Sequence, residues 1–369
     1  MRLLFWLSTA LITYVYLGYA SWIWLLSHIR RRPILVERST PSISVVIAAR
    51  NEASNLPAKL ENIRLLNYPA DRLQVVVVSD GSTDRTADIL RDHVPQIVPV
   101  ILDEPNGKGI ALNEAVKRAT GDILVFLDAR QSVEPNALEE LTSCFADPSV
   151  GAVSGELLLD KPSNPSPLTA ISLYWDIEKI VRKLESATGS VVGVTGAIYA
   201  IRRELYHEIP PGTILDDVFV PMHVARMGKR VVFQPAAVAH DRLFSQRGKE
   251  FSRKVRTLTG NYQLLQLAPW LLSTKNPLLF RFISHKVLRL ASPFLILLTL
   301  LTSMLSRGSL YHTAFWMQIA FYALAGLGAL SSSAKQLKPV AIASTFVMLN
   351  AAAALAFYNF IAGRDGVWH

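Results

Sequence analysis

The chain has 369 residues and a formal charge of +9; half its residues are hydrophobic, and mean hydropathy is +0.27. It is too apolar for an ordinary soluble protein and too charged for a bundle of membrane helices alone, which predicts one soluble domain held between membrane segments. The single cysteine, Cys144, excludes a disulfide framework and a cysteine-based metal site, and basic clusters beside the apolar ends (Arg30–Arg32; Arg281, Lys286 and Arg289) favour a cytosol-facing membrane surface over nucleic acid.

Leu3–Leu26 is uncharged and long enough to span a bilayer, and it is rich in the tyrosines and tryptophans that favour membrane interfaces. A cleaved signal peptide places its charges before the apolar run and small residues after it. Here His28–Arg32 follows the run, and Trp22–Leu26 ends it with bulky residues. Residues 1–28 are therefore expected to be an uncleaved anchor, with the N-terminus outside.

A soluble domain is expected over residues 40–270. Ile43–Ala48 reads as a buried strand ending at Arg50-Asn51-Glu52, followed by a helix over Ala53–Leu65. Gln74–Ser79 is a second strand, ending in Ser79-Asp80-Gly81-Ser82-Thr83-Asp84, where Gly81 permits a tight turn and Asp84 suits a cap. Ile97–Leu102 is a third. Gly107-Lys108-Gly109 then opens a helix, Ile110–Ala119, in a setting suited to phosphate. A solvated lysine is the alternative there. The unbroken apolar run Ile123–Leu127 ends abruptly at Asp128. A carboxylate at the C-terminal end of a parallel strand lies where open α/β sheets bind ligands, and a hard metal carrying a diphosphate needs such an oxygen. Strands alternating with helices at this spacing predict an α/β, doubly wound, mostly parallel sheet.

Lys161–Pro167 reads as a surface loop. Leu168–Glu185 reads as a helix whose Trp175, Asp176 and Glu178 face either core or acceptor. Asp216 and Asp217 open an amphipathic helix; two carboxylates there are also ordinary complementarity to a helix N-terminus. Arg253 and Arg256 share one helix face, and a basic helix on a membrane surface is the plain reading. Residues 276–289 look like an interfacial amphipathic helix, and residues 290–361 contain three spanning candidates: Leu290–Ser306, Ala314–Ser331 and Val340–Ile361. The Ser332–Lys338 loop then falls inside and the tail Gly363–His369 outside.

Seven short motifs occur in a fixed order: Ser44–Glu52, Ser79–Asp84, Gly107-Lys108, Asp128-Ala129-Arg130, Gly193–Arg203, Leu215-Asp216-Asp217 and Arg253–Thr257. Together they resemble the ordered motifs of membrane-bound family 2 glycosyltransferases, over about Ser42 to Asn261. The resemblance implies a GT-A fold and an inverting transfer from a nucleotide-diphosphate sugar, UDP-linked, to a lipid-linked or growing saccharide acceptor. It makes the chain an integral membrane protein of a bacterial plasma membrane, with its catalytic domain in the cytosol and lipid as a further partner.

By that resemblance Glu52 and Asp80 contact the nucleoside, and Lys108 the phosphates. Asp217 is the base that takes the acceptor proton, Asp216 its supporting neighbour, and Arg253 and Arg256 hold the departing diphosphate. Asp128 is the expected ligand of Mg²⁺ or Mn²⁺. The second acid of the family's Asp-x-Asp is replaced by Arg130, which cannot bind a cation. Either Asp128 holds the metal with help from the donor and from His240 or Asp241, in a polar break after Ala239, or Arg130 itself neutralises the diphosphate. Thr257 stands where processive synthases carry a tryptophan, which weakens but does not remove the reading as a processive polysaccharide synthase. A non-catalytic nucleotide-sugar-binding membrane protein is a further alternative.

Overall fold

The computed structural model describes residues 1–160, 170–242, 247–331 and 333–363. The Lys161–Pro167 loop and the end of the tail lie outside them.

Eight strands form one sheet in the order β3-β2-β1-β4-β7-β6-β8-β5. They are β1 (Ile43–Ala49), β2 (Leu73–Asp80), β3 (Val98–Leu102), β4 (Ile123–Leu127), β5 (Ser132–Val133), β6 (Val150–Asp160), β7 (Ile198–Arg202) and β8 (Arg230–Arg242). The first four strands are parallel, as their unbroken Val/Ile/Leu runs predict. Beyond β4 the sheet is mixed: β7 runs antiparallel to β4 and β6, while β8 is parallel to β6 and antiparallel to β5. Strand order reverses between β1 and β4, and in open α/β sheets ligands bind in the crevice outside such a reversal. The C-terminal ends of these two strands lead directly into Arg50–Glu52 and Asp128.

The helices are α1 (Arg2–Ile29), α2 (Leu56–Arg64), α3 (Thr86–Asp92), α4 (Lys108–Val116), α5 (Ala137–Ser143), α6 (Ala170–Ala187), α7 (Asp216–Arg226), α8 (Arg247–Leu267), α9 (Leu279–Leu305), α10 (Ser309–Leu330) and α11 (Lys338–Ile361). Alternation along β1 and β2 sends Val45, Ile47 and Val77 to one face of the sheet, under α2 and α5. Val46, Ala48, Val76 and Val78 go to the other, under α4 and α7.

Helices α1, α9, α10 and α11 are long and apolar enough to cross a membrane. They are tied laterally by small polar side chains, as when Thr299 Oγ1 donates to Ser8 Oγ at 2.8 Å. The stretch expected as a separate interfacial helix, residues 276–289, enters a continuous helical run that begins at Leu279 and ends at Leu305. Its charged residues can share that run because they turn toward α6: His285 meets Glu178 and Glu185, and Arg289 meets Glu178. Helix α8 lies along α11, with Val255 buried among Ala352 and Ala356 and Tyr262 beside Phe357 and Phe360.

Candidate active site

The site begins with two turns that lock together. Asn51 adopts a left-handed conformation, φ 54°, which asparagine tolerates better than most residues. Its Oδ1 accepts the Thr83 N–H at 2.8 Å, joining the end of β1 to the end of β2. Asp84 accepts from Thr86 N–H and from Ala53 N–H, the turn-and-cap chemistry expected of it. Gly81, φ +56°, lies so close to the next loop that a Cβ would stand 2.3 Å from Pro105 N. Asp80 is fully buried, and its carboxylate accepts the N–H groups of Asn106 (2.7 Å) and Gly107 (2.9 Å). Its two oxygens thus fix the loop that delivers Lys108. The Glu52 carboxylate accepts from Asn55 Nδ2 at 2.6 Å.

Lys108 opens α4 and joins two distant carboxylates. Its Nζ lies 3.1 Å from Asp128 Oδ1 and 3.4 Å from Asp216 Oδ2. Burial by itself would lower the proton affinity of this amine, but Asp128, Asp216 and Asp217 outweigh it and hold the amine charged far above the ordinary range. Asp216 and Asp217 are the first residues of α7, with Asp216 buried. The Asp217 carbonyl accepts the Val194 N–H at 2.8 Å, and a Cβ at Gly196 would stand 3.4 Å from Asp217 Oδ2, so the Val194–Gly196 segment wraps the carboxylate closely. Burial and, next, the Asp216 charge push Asp217 up to about 6, against the opposing pull of Lys108, Lys286 and Arg182.

Arg130 does not reach toward Asp128 as a partner. It is held by Asp241, Nη2 to Oδ2 at 2.6 Å and Nε to Oδ1 at 3.2 Å, and Gln131 Nε2 donates to the same carboxylate. The polar break expected after Ala239 is part of strand β8, paired through Ser132 and His240 with β5. Alternation along β8 separates the two candidate helpers of Asp128: Asp241 meets Arg130, while His240 Nε2 lies 3.0 Å from Glu134 Oε1. Among the described residues no group of three or more His, Cys, Asp or Glu side chains is placed to hold a metal ion. The donor set fits only an ion that shares Asp128 with phosphate oxygens, the usual manner of Mg²⁺ with nucleotides.

Arg253 and Arg256 are exposed on α8. One turn beyond Arg256, Gly260 packs so closely on the segment leading to Asp216 that a Cβ would stand 2.7 Å from Leu215 Cγ. Gln263 adds two bonds to the same segment, accepting from Ile214 N–H and donating to the Gly212 carbonyl. Among the described residues Thr257 Oγ1 bonds only its own helix, at Arg253 O.

Several supporting residues escape a reading of the sequence alone. Lys59 is 3% exposed and donates to the Gln131 carbonyl at 2.7 Å, beneath the Asp128–Gln131 turn. Burial brings its amine down to about 8, with Asp128 pulling the other way. Its position on the apolar stripe Leu56, Leu60 and Ile63 was the available signal. Glu178 resolves to the interior: with Glu185, His285, Arg281 and Arg289 it forms a buried network between α6 and α9, and Tyr19 of α1 donates to Glu185. Both carboxyls sit below their ordinary range. Burial raises them, but His285 and the neighbouring arginines more than offset it.

The mixed sheet with its strand-order reversal is that of a GT-A fold. Residues 44–210 match the sequence model of Glycosyl transferase family 2. A probable glycosyltransferase, YdaM, of Bacillus subtilis is 29% identical over 216 residues, covering 54% of this chain and 50% of that one. The poly-beta-1,6-N-acetyl-D-glucosamine synthase of Staphylococcus aureus is 23% identical over 243 residues, covering 64% and 58%. The chain thus spans between half and three fifths of the length of these relatives. Among solved structures, the mannosyltransferase PcManGT from Pyrobaculum calidifontis, in complex with GDP-Man and Mn²⁺, superposes with a TM-score of 0.73 at 24% identity over 97% of this chain and 99% of that one. That likeness extends the shared fold to the helices flanking the sheet.

Proposed function

We propose that the protein is an inverting glycosyltransferase that moves a sugar from a nucleotide-diphosphate donor to an acceptor presented at a membrane. The observation that carries this reading is the meeting of Lys108, Asp128 and Asp216 at the strand ends, with Asp217 beside them. The donor lies across the ends of β1 and β4. Glu52 is placed toward its nucleoside, and Asp80 fixes the loop that carries Lys108. Asp217 takes the proton of the acceptor hydroxyl; the new bond forms at the anomeric carbon as the bond to the diphosphate breaks on the opposite side. Lys108 balances the charge that develops on the diphosphate, with Arg253 and Arg256 as further counter-charges. A divalent ion, when bound, would be held by Asp128 and the donor phosphates, and would supply charge neutralisation to the leaving group. The Mn²⁺ and GDP-Man of the Pyrobaculum relative support that arrangement.

Four helices long and apolar enough to cross a membrane support an integral protein with its sheet domain on the cytosolic side, where nucleotide sugars are made. The staphylococcal relative's name favours a polysaccharide product. Thr257 speaks for single or limited transfer.

Calorimetric titration of the purified protein with UDP and with GDP, in Mn²⁺ and then in EDTA, tests the reading. Binding of one nucleotide, strengthened by Mn²⁺, followed by release of that nucleotide from its sugar donors, is expected. Binding of neither nucleotide, or none released from any sugar donor with membrane extract as acceptor, would leave a family fold without its activity.

A further inference from the structure

The Lys108 ammonium stands between a carboxylate open to the strand-end crevice and one closed off from it. The Asp128 side chain is 36% exposed and the Asp216 side chain 6%. At 3.1 Å from Asp128 Oδ1 and 3.4 Å from Asp216 Oδ2, one positive charge is shared between acids of two elements far apart in sequence. Asp216 Oδ2 is buried and makes no hydrogen bond among the described residues. A hydroxyl nearby is in the same condition. Tyr199 is 1% exposed, its OH has no hydrogen-bond partner among the described residues, and its ring stacks on Phe126, two residues before Asp128. Buried polar atoms are satisfied with few exceptions, and an exception calls for an explanation such as a ligand or ion that completes it.

The side chains first considered as helpers of Asp128 turn elsewhere, Asp241 to Arg130 and His240 to Glu134. Asp216 is the acid that the structure brings to Asp128, through the ammonium they share. The backbone behind Lys108 is fixed, because Asp80 binds the N–H groups of Asn106 and Gly107. From that base the flexible four-carbon stem can re-aim its ammonium without moving the loop. A diphosphate at the N-terminus of α4 presents its oxygens to that ammonium and to the first N–H groups of the helix together. At the two carboxylates, ammonium and divalent ion are alternatives, since like charges repel strongly in a partly buried site.

We propose that Lys108 is a tethered place-holder for the divalent ion, and that Asp216 is the second carboxylate of that ion's site. In the donor-free protein the ammonium holds Asp128 and Asp216 together. The donor diphosphate draws the ammonium off, and the two acids then share the ion with the phosphate oxygens. Asp216 thereby supplies the oxygen that Arg130 lacks. The proposal rests on the glycosyl-transfer reading for the diphosphate donor. It adds that ion and donor enter together, because without the donor the protein's own cation keeps the ion out. Each then raises the affinity for the other by the same factor.

The test follows the electron paramagnetic resonance signal of free Mn²⁺, which is lost on binding. Mn²⁺ is titrated into the full-length protein in detergent, without nucleotide and with UDP or GDP, and protein-free nucleotide is the blank. Wild type is compared with Lys108→Met, Lys108→Arg and the double variant Lys108→Met, Asp216→Asn. Wild type is expected to bind Mn²⁺ about tenfold or more tightly with its nucleotide than without. Without nucleotide, Lys108→Met should bind Mn²⁺ about tenfold or more tightly than wild type, and Lys108→Arg, which keeps the charge, like wild type. Adding Asp216→Asn should take back about tenfold of that gain. Wild type binding Mn²⁺ equally with and without a nucleotide it holds overturns the place-holder, and that comparison needs no variant to fold. Folded Lys108→Met binding Mn²⁺ no more tightly than wild type, or Lys108→Arg binding it like Lys108→Met, overturns it as well. A double variant as tight as Lys108→Met removes Asp216 from the ion's site. If wild type holds neither nucleotide, the transfer reading fails, and the nucleotide-free comparison of Lys108→Met with wild type still decides the part of the lysine.

Discussion

Lys108 and Asp216 meet at 3.4 Å although they open two different helices, one following β3 and the other following β7. Among the described residues the lysine is the only salt-bridge partner of this buried carboxylate, whose Oδ2 makes no hydrogen bond. Lys108→Met removes that charge and leaves three carboxylates facing one another. Stability should fall by about 3 kcal/mol, the scale for breaking a buried pair. Nucleotide release from the donor should fall about 10²-fold. A thermal melt and a nucleotide-release assay on the same preparation check both, and an unchanged melt would mean that the pair is not buried in the working protein.

Asp217→Asn should keep the fold and nucleotide binding and lose about 10²–10⁴-fold in transfer, because an amide cannot accept the hydroxyl proton. Wild-type transfer by this variant would remove Asp217 as the base.

The same residue sets a pH dependence. Its folded value, about 6, lies above its ordinary 3.8. Transfer needs the ionised form, so log kcat/KM should decline with a slope of about one below pH 6. For stability the sign is opposite to that of a salt-bridged acid. Between 3.8 and about 6 the folded chain binds more protons than the unfolded chain, so this group's penalty is absent below 3.8 and complete above 6. Asp217→Asn should therefore gain stability relative to wild type as pH rises through that window, measured as the difference between melting temperatures at pH 5 and pH 7.

Glu185→Leu tests the network joining α6 to the membrane helices. Glu185 is fully buried and accepts from Tyr19 and His285. Its loss leaves His285 beside Arg281 with one carboxylate fewer, at about 3 kcal/mol, and should lower the melting temperature by several degrees. Nucleotide affinity should stay near normal, because the donor crevice is built on β1 and β4.

Gly81→Ala places a Cβ 2.3 Å from Pro105 N at a φ of +56°. The cost is roughly 2 kcal/mol or more in stability. The displaced 104–107 loop carries Lys108, so nucleotide affinity should weaken as well. A variant binding UDP or GDP like wild type would show that the loop relaxes without moving the lysine.

The half of the sheet that follows simple rules was legible in the sequence. Ile43–Ala49 and Ile123–Leu127 are unbroken apolar runs, and a run buried on both faces announces itself without any partner. Asp128 follows such a run directly, and Asp216 opens a helix. Strand β8 was misread at His240 and Asp241, where two polar residues suggest a break. They continue the strand because Asp241 has Arg130 as its counter-charge and His240 has Glu134. Those partners lie more than a hundred residues away, and no local pattern signals them. The ambiguity of Glu178 has the same origin: a carboxylate on an amphipathic helix reads as surface until His285 and Arg289 arrive from α9.

The network around Glu178 and Glu185 also governs how the sheet domain stands on its support. Tyr19 from the first helix and three basic or imidazole groups from the 279–305 helix, Arg281, His285 and Arg289, converge on one side of α6 and its following turn. A domain joined to its anchor by loose linkers would sweep through a range of heights and tilts. This one is fastened along two seams, at α6 and along α8 against α11, so in the proposed membrane setting the height of the Asp217 carboxylate above the bilayer would be a built-in dimension. On the proposed transfer reading that centre would act as a fixed gauge, sorting acceptors by how far their reactive hydroxyl projects from the membrane before any sugar-specific contact is made.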